Sequence, residues 1–102
     1  MRIAVVSGGF DPLHSGHINY LESAAKHGDK LVVLVNSDDW LTRKKGRPFL
    51  PFEERSIIVQ RMDMVDNVYA VDDEDGSVTK GLKTVRNAFG HQHEYVFCNG
   101  GD

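Results

Sequence analysis

Apolar residues along the chain fall into runs of two kinds. RIAVVS (2–7) is β-branched and apolar on both faces, as a central strand of a parallel sheet must be. KLVVLVNS (30–37), NVYAV (67–71) and EYVFC (94–98) repeat the theme and predict three more strands. The stretches between them have helical spacing. Residues 15–27 place Ile18, Leu21, Ala24 and Ala25 on one face, with Gly28 at the C-terminus, where a positive φ is often needed. FEERSIIVQRMDMV (52–65) spaces Ile57, Ile58, Arg61 and Met62 as a helix does, and another helix follows DDEDGS (72–77) through about Phe89. Asp38 or Asp39 is expected to cap a short helical turn. TRKKGRPFLP (42–51), with a basic run, a glycine and two prolines, reads as a loop, and DDEDG as a solvated turn.

The order β-α-β-α-β-α-β predicts an α/β fold: a Rossmann-like parallel sheet with flanking helices. The expected strand order is 3-2-1-4. In such sheets ligands bind beyond the carboxyl ends of the strands, where the order reverses. That switch point falls between the first and fourth strands. GGFDPLHSGH (8–17) follows the first and NGGD (99–102) the fourth, so both polar loops are expected at one crevice.

Composition narrows the class. The chain has 102 residues, 40% of them apolar, which suits one domain spanning 1–102. No run approaches the about 20 apolar residues that span a bilayer. MRIAVV lacks the h-region and cleavage site of a signal peptide. Cys98, the one cysteine, excludes an internal disulfide, fits a reducing cytoplasmic setting and reads as core. A net charge of −3 gives no global attraction to nucleic acid, and TRKKGR alone is a weak case for it.

The chemistry concentrates at the first strand-to-helix corner. Gly8 and Gly9 let backbone N–H groups approach a ligand, and a helix N-terminus favours an anion. His14 and His17, three apart at a helix start, share a face. Two imidazoles there suit a polyphosphate, to which they can donate hydrogen bonds as negative charge builds. Asp11 is placed either to orient a loop N–H or to help hold a divalent metal. Plainer readings stand beside these: a histidine metal pair, a simple glycine turn, Phe10 as core, Lys44 as a solvated charge, Asp38 as a helix cap, and Arg55 paired with Glu54 or an aspartate on the surface.

Gly9-Phe10-Asp11-Pro12-Leu13-His14-Ser15-Gly16-His17 resembles the HxGH signature of the cytidylyltransferase-like nucleotidyltransferases. VVLVNSDDW, the KKGRP segment, the Pro-Phe-Glu-Glu-Arg helix start and MVDNVY are similar to that family in order and spacing, over nearly the whole chain. Within that family it resembles the glycerol-3-phosphate cytidylyltransferases and the nucleotidyltransferase domains of ADP-heptose synthases. The resemblance implies transfer of a nucleotidyl group from a nucleoside triphosphate, accompanied by Mg2+, to a small phosphorylated alcohol or sugar, with release of pyrophosphate. CTP is slightly favoured over ATP. His14, His17 and Lys44 would be catalytic. Gly8, Gly9, Phe10, Asp11, Gly16, Gly100, Gly101 and Asp102 would bind the nucleotide, and Asp38 and Arg55 the acceptor.

The chain departs from the family by ending before a further strand and a Ser/Thr loop that grips the triphosphate. A nucleotide-binding module without turnover is therefore the alternative. The resemblance also implies a homodimer. Met62, Met64, Val65 and Val68 are not expected to face one small core together, which would leave apolar surface for a two-fold partner, with Asp63 or Asp66 pairing with Arg61.

Overall fold

A computed structural model describes residues 1–71, 73–74 and 78–98. The elements are β1 (Arg2–Gly8), α1 (Ser15–Ala25), β2 (Lys30–Val35), α2 (Asp38–Lys45), α3 (Phe52–Gln60), β3 (Asn67–Ala70), α4 (Thr79–Phe89) and β4 (Glu94–Phe97). The four strands form one parallel sheet in the order β3-β2-β1-β4, the order expected from the hydrophobic pattern. Ala4 and Val6 of β1 join Leu31, Val33 and Val35 of β2 in a core with Leu21 and Ala24 of α1 and Val59 of α3. Ile3, Val5, Val32 and Leu34 face the other way, onto Val85 of α4. Both faces of β1 and β2 are thus covered, which is why these strands carry no polar alternation.

Several local expectations change. The buried stripe of α1 is His17, Leu21 and Ala24, while Ile18 stays 41% exposed. The helix expected over 52–65 ends at Gln60, and its buried positions are Arg55 and Val59, leaving Ile57 and Ile58 exposed. Met62, Met64 and Val68, each partly buried, pack against the α1–α3 core together with buried Val65, so all four do meet one core. Asp66 accepts the Leu31 N–H at 2.8 Å, a tie within the chain. Gly28 lies beyond the C-cap, Lys26, and is needed for close approach, not for positive φ: a Cβ there would meet Ala4 N of β1 at 2.7 Å.

The largest change concerns 42–51, of which Thr42–Lys45 belongs to α2. The cap is Ser37, whose hydroxyl accepts the Trp40 N–H at 3.0 Å, not Asp38 or Asp39. Asp38 and Asp39 sit in the first turn and Arg43, Lys44 and Lys45 in the last, each sign at the helix end that favours it. Gly46, at φ 97°, ends the helix. These are ordinary start and stop signals; the density of positive charge obscured them.

Candidate functional site

The first corner caps itself with histidine. His14 has extended backbone as the N-cap of α1, and its Nδ1 accepts the Gly16 N–H at 3.0 Å. His17 answers: its Nδ1 accepts the His14 N–H at 3.2 Å. Serine or threonine paired with glutamate normally makes such a reciprocal cap. A ring nitrogen that accepts cannot carry the proton, so each neutral imidazole is held as the Nε2–H tautomer. The rings lie 4.1 Å apart between centroids. A Cβ at residue 16 would fall 2.8 Å from the His14 ring, so the close approach of that ring requires Gly16. His17 is buried, with its ring edge-on to Phe10 at 5.3 Å. Phe10 is 2% exposed and adopts φ 52°, a left-handed conformation rare for an aromatic residue. It is therefore a core residue that also reaches the wall of a cleft.

That cleft, about 380 Å³, is bounded on one side by Gly9, Phe10, Asp11, Pro12, His14 and His17. Trp40, Leu41, Lys44 and Lys45 of α2 form the other side. The Lys44 ammonium lies 4.7 Å from the centre of the Trp40 ring. Lys44 was expected on a loop; it stands on a helix, one turn after that ring. Sequence reading overlooked Trp40 and Lys45. Placing 42–45 on a helix would have found them, since positions 40, 41, 44 and 45 share a face.

Asp11 orients backbone. Its two carboxylate oxygens accept the N–H groups of Phe49 (2.6 Å) and Leu50 (2.8 Å), and Lys45 Nζ lies 3.0 Å from Oδ2. Burial pushes this carboxyl up, but the hydrogen bonds from Lys45, Phe49 and Leu50 and the Lys45 charge outweigh it and hold it below its ordinary value. Of the two roles expected of it, Asp11 fills the first, that of orienting loop N–H groups. Among the described residues no group of three His, Cys, Asp or Glu side chains could hold a metal ion.

Arg55 also departs from expectation. Its side chain is 0% exposed. Nε donates to Leu50 O (3.0 Å), Nη1 to Gly9 O and Asn36 O (both 2.8 Å), and Nη2 to Asp38 Oδ1 (2.6 Å). Turned inward, it ties together the histidine corner, the end of β2, the start of α2 and the segment before α3; its carboxylate partner is an aspartate, Asp38, not Glu54, and the pair is made by a buried rather than a surface arginine. Asp38, half exposed, faces it as the partner carboxylate. Gly8 ends β1, where its carbonyl accepts the Asn36 N–H at 3.0 Å. Gly100, Gly101 and Asp102 lie outside the described residues.

Asp73 is a residue that no motif announced. Expected in a solvated turn, it is 3% exposed. Its carboxylate accepts from Ser37 Oγ (2.6 Å), Ser37 N (2.9 Å) and Asn36 Nδ2 (3.0 Å). Burial pushes Asp73 up, and the Ser37 and Asn36 hydrogen bonds overcome that and hold it below its ordinary value. Cys98, half-buried after β4, is pushed up by burial alone. No helix among the described residues is long and apolar enough to cross a membrane.

The chain is similar to known proteins in sequence and in fold. Over 99% of its length the chain is 40% identical to the bifunctional protein HldE of Methylococcus capsulatus, covering 20% of that protein. Over 72% of its length it is 43% identical to HldE of Citrobacter koseri, covering 16% of it. The chain thus spans about a fifth of the curated relatives it matches. The crystal structure of the lipopolysaccharide core biosynthesis protein from Thermoplasma volcanium superposes with a TM-score of 0.71 at 24% identity, covering 100% of this chain and 99% of that one, a likeness of fold. The model of the cytidylyltransferase-like family matches residues 5–101, and the chain belongs to that family.

Proposed function

We propose that the chain is the nucleotidyltransferase part of its protein, transferring a nucleotidyl group from CTP or ATP to a small phosphorylated alcohol or sugar. The observation that carries this is the histidine pair. Two imidazoles, each held as the Nε2–H tautomer by a backbone N–H, stand side by side at a helix N-terminus on the wall of a cleft whose other wall carries Lys44 and Lys45. That arrangement fits a polyphosphate.

An oxygen of the acceptor phosphate attacks the α-phosphorus in line. The new P–O bond forms as the bond to the β-phosphate oxygen breaks, and its electron pair leaves with pyrophosphate. No group on the protein needs to become covalently attached; the work is positioning and stabilisation of the extra negative charge at the pentavalent α-phosphorus. His14 and His17 supply fixed donors, and Lys44 supplies a point charge on a flexible stem. Asp11 and Arg55 hold backbone around the cleft, and Asp38 acts with Arg55. Magnesium, a hard cation that prefers oxygen ligands, would come with the triphosphate's own oxygens.

The test is pyrophosphate release from CTP and from ATP, each with magnesium, against a panel of phosphorylated alcohols and sugars. Release that depends on one acceptor and disappears in His17→Ala supports the proposal. Saturable triphosphate binding with no release for any pair would overturn it in favour of a nucleotide-binding module.

A further inference from the structure

Helix α2 is a partition. Trp40, Lys44 and Lys45 face the cleft, while Asp39, Thr42 and Arg43 line a second cavity of about 550 Å³ on its other side. A helix of eight residues has little stability of its own, so contacts from elsewhere must set where it lies. Two of those contacts end on Asp73. The Ser37 hydroxyl donates to Asp73 Oδ1 (2.6 Å) while accepting the Trp40 N–H (3.0 Å), so the carboxylate turns the cap's lone pairs toward the helix. Further along, Arg43 Nη2 donates to the Asp73 carbonyl at 2.7 Å.

We propose that Asp73 is a positioning residue for nucleotidyl transfer: it fixes α2 against the segment after β3 and thereby sets Trp40, Lys44 and Lys45 at the cleft. This rests on the transfer reaction proposed above. Strand order says which substrate would feel it. In the order β3-β2-β1-β4, α2 follows β2, on the far side of β1 from β4. A nucleotide whose base lies at the β1–β4 switch point brings its α-phosphorus to the histidine pair and leaves the α2 side to the incoming acceptor phosphate, so that Lys44 meets the transferring group from the acceptor's side. Loosening α2 therefore impairs acceptor capture first.

The experiment compares Asp73→Ala, Ser37→Ala, their combination and Asp73→Asn with the unaltered protein. The acceptor is whichever of glycerol 3-phosphate and glucose 1-phosphate supports pyrophosphate release. Asp73→Ala is expected to raise the acceptor KM about tenfold, the scale of a misplaced binding group, and to leave the triphosphate KM nearly unchanged. Ser37→Ala should act in the same direction but less. The combined variant should lose less than the sum of the two, because the Ser37 hydroxyl–Asp73 bond is removed by either substitution. Asp73→Asn, of the same shape, should recover most of the loss. The sole tryptophan is Trp40, so its emission reports on α2 without any turnover and should shift to the red in Asp73→Ala. A lower Tm with the acceptor KM and Trp40 emission unchanged would overturn the proposal. So would an equal rise in both KM values, or additive losses in the combined variant. If Asp73→Ala fails to fold, Ser37→Ala and Asp73→Asn carry the same comparison. If the unaltered protein releases no pyrophosphate, the transfer reading fails, and Trp40 emission still decides whether Asp73 sets α2.

Discussion

The two strand-to-helix corners beside the cleft are built in opposite ways. The β1–α1 corner is capped from within four residues, His14 and His17 each accepting the other segment's N–H. The β2–α2 corner has a local cap in Ser37 but is held from a distance, by Asp73 through Ser37 and Asn36 and by Arg55 through Asn36 O and Asp38. The histidine cap is made by residues adjacent in sequence, although Arg55 also holds this corner through Gly9 O. A wall held by distant residues depends on the whole fold being in register.

That contrast is broken most severely at Arg55. Arg55→Ala strips donors from three carbonyls, two of them at the corners, and leaves a buried void. Loss of one partner from such a buried network typically costs ~3–5 kcal/mol. Chemical denaturation should show a loss of that size, and Arg55→Lys should recover little, because one ammonium cannot span the fork. Next comes the self-capped corner. His17→Ala should lower kcat by ~10²–10³, the usual effect of losing a transition-state donor, while triphosphate affinity stays close to normal. Stopped pyrophosphate assays with a parallel binding isotherm separate the two.

Asp11 sharpens the comparison through pH. Its carboxyl is held below the ordinary value of 3.8, so the stability it contributes is fully present above that pH and is lost as pH falls through the lowered folded value. Thermal melts from pH 5 downward should show Asp11→Asn with a shallower acid decline than the unaltered protein; parallel declines would mean the Lys45–Phe49–Leu50 contacts contribute nothing. The smallest effect is expected at the opposite end of the sheet. Arg2 and Glu94 form an exposed ion pair at 2.9 Å, and exposed pairs are screened by solvent and salt. Arg2→Ala should leave Tm and both KM values unchanged within error, which makes it the control for every cleft variant.

The sequence by itself determined the sheet and one corner. Four apolar runs separated by helical spacing admit few arrangements, and a parallel sheet in the order 3-2-1-4, with its two central strands buried, is the one observed. The histidine corner was legible as a pair at a helix start, because its geometry is set by residues adjacent in sequence. Tertiary structure decided the rest. Arg55 reads from the sequence as an acceptor-binding charge and Asp73 as part of a solvated turn; each is buried because residues distant in sequence supply its hydrogen bonds, 17 to 46 positions away for three of the four Arg55 partners and 36 or 37 away for Asp73. His17 displaced Ile18 from the buried stripe of α1 because its ring packs under Phe10. Burying a polar group is favourable only where its partners converge, and that convergence exists only once the chain has folded.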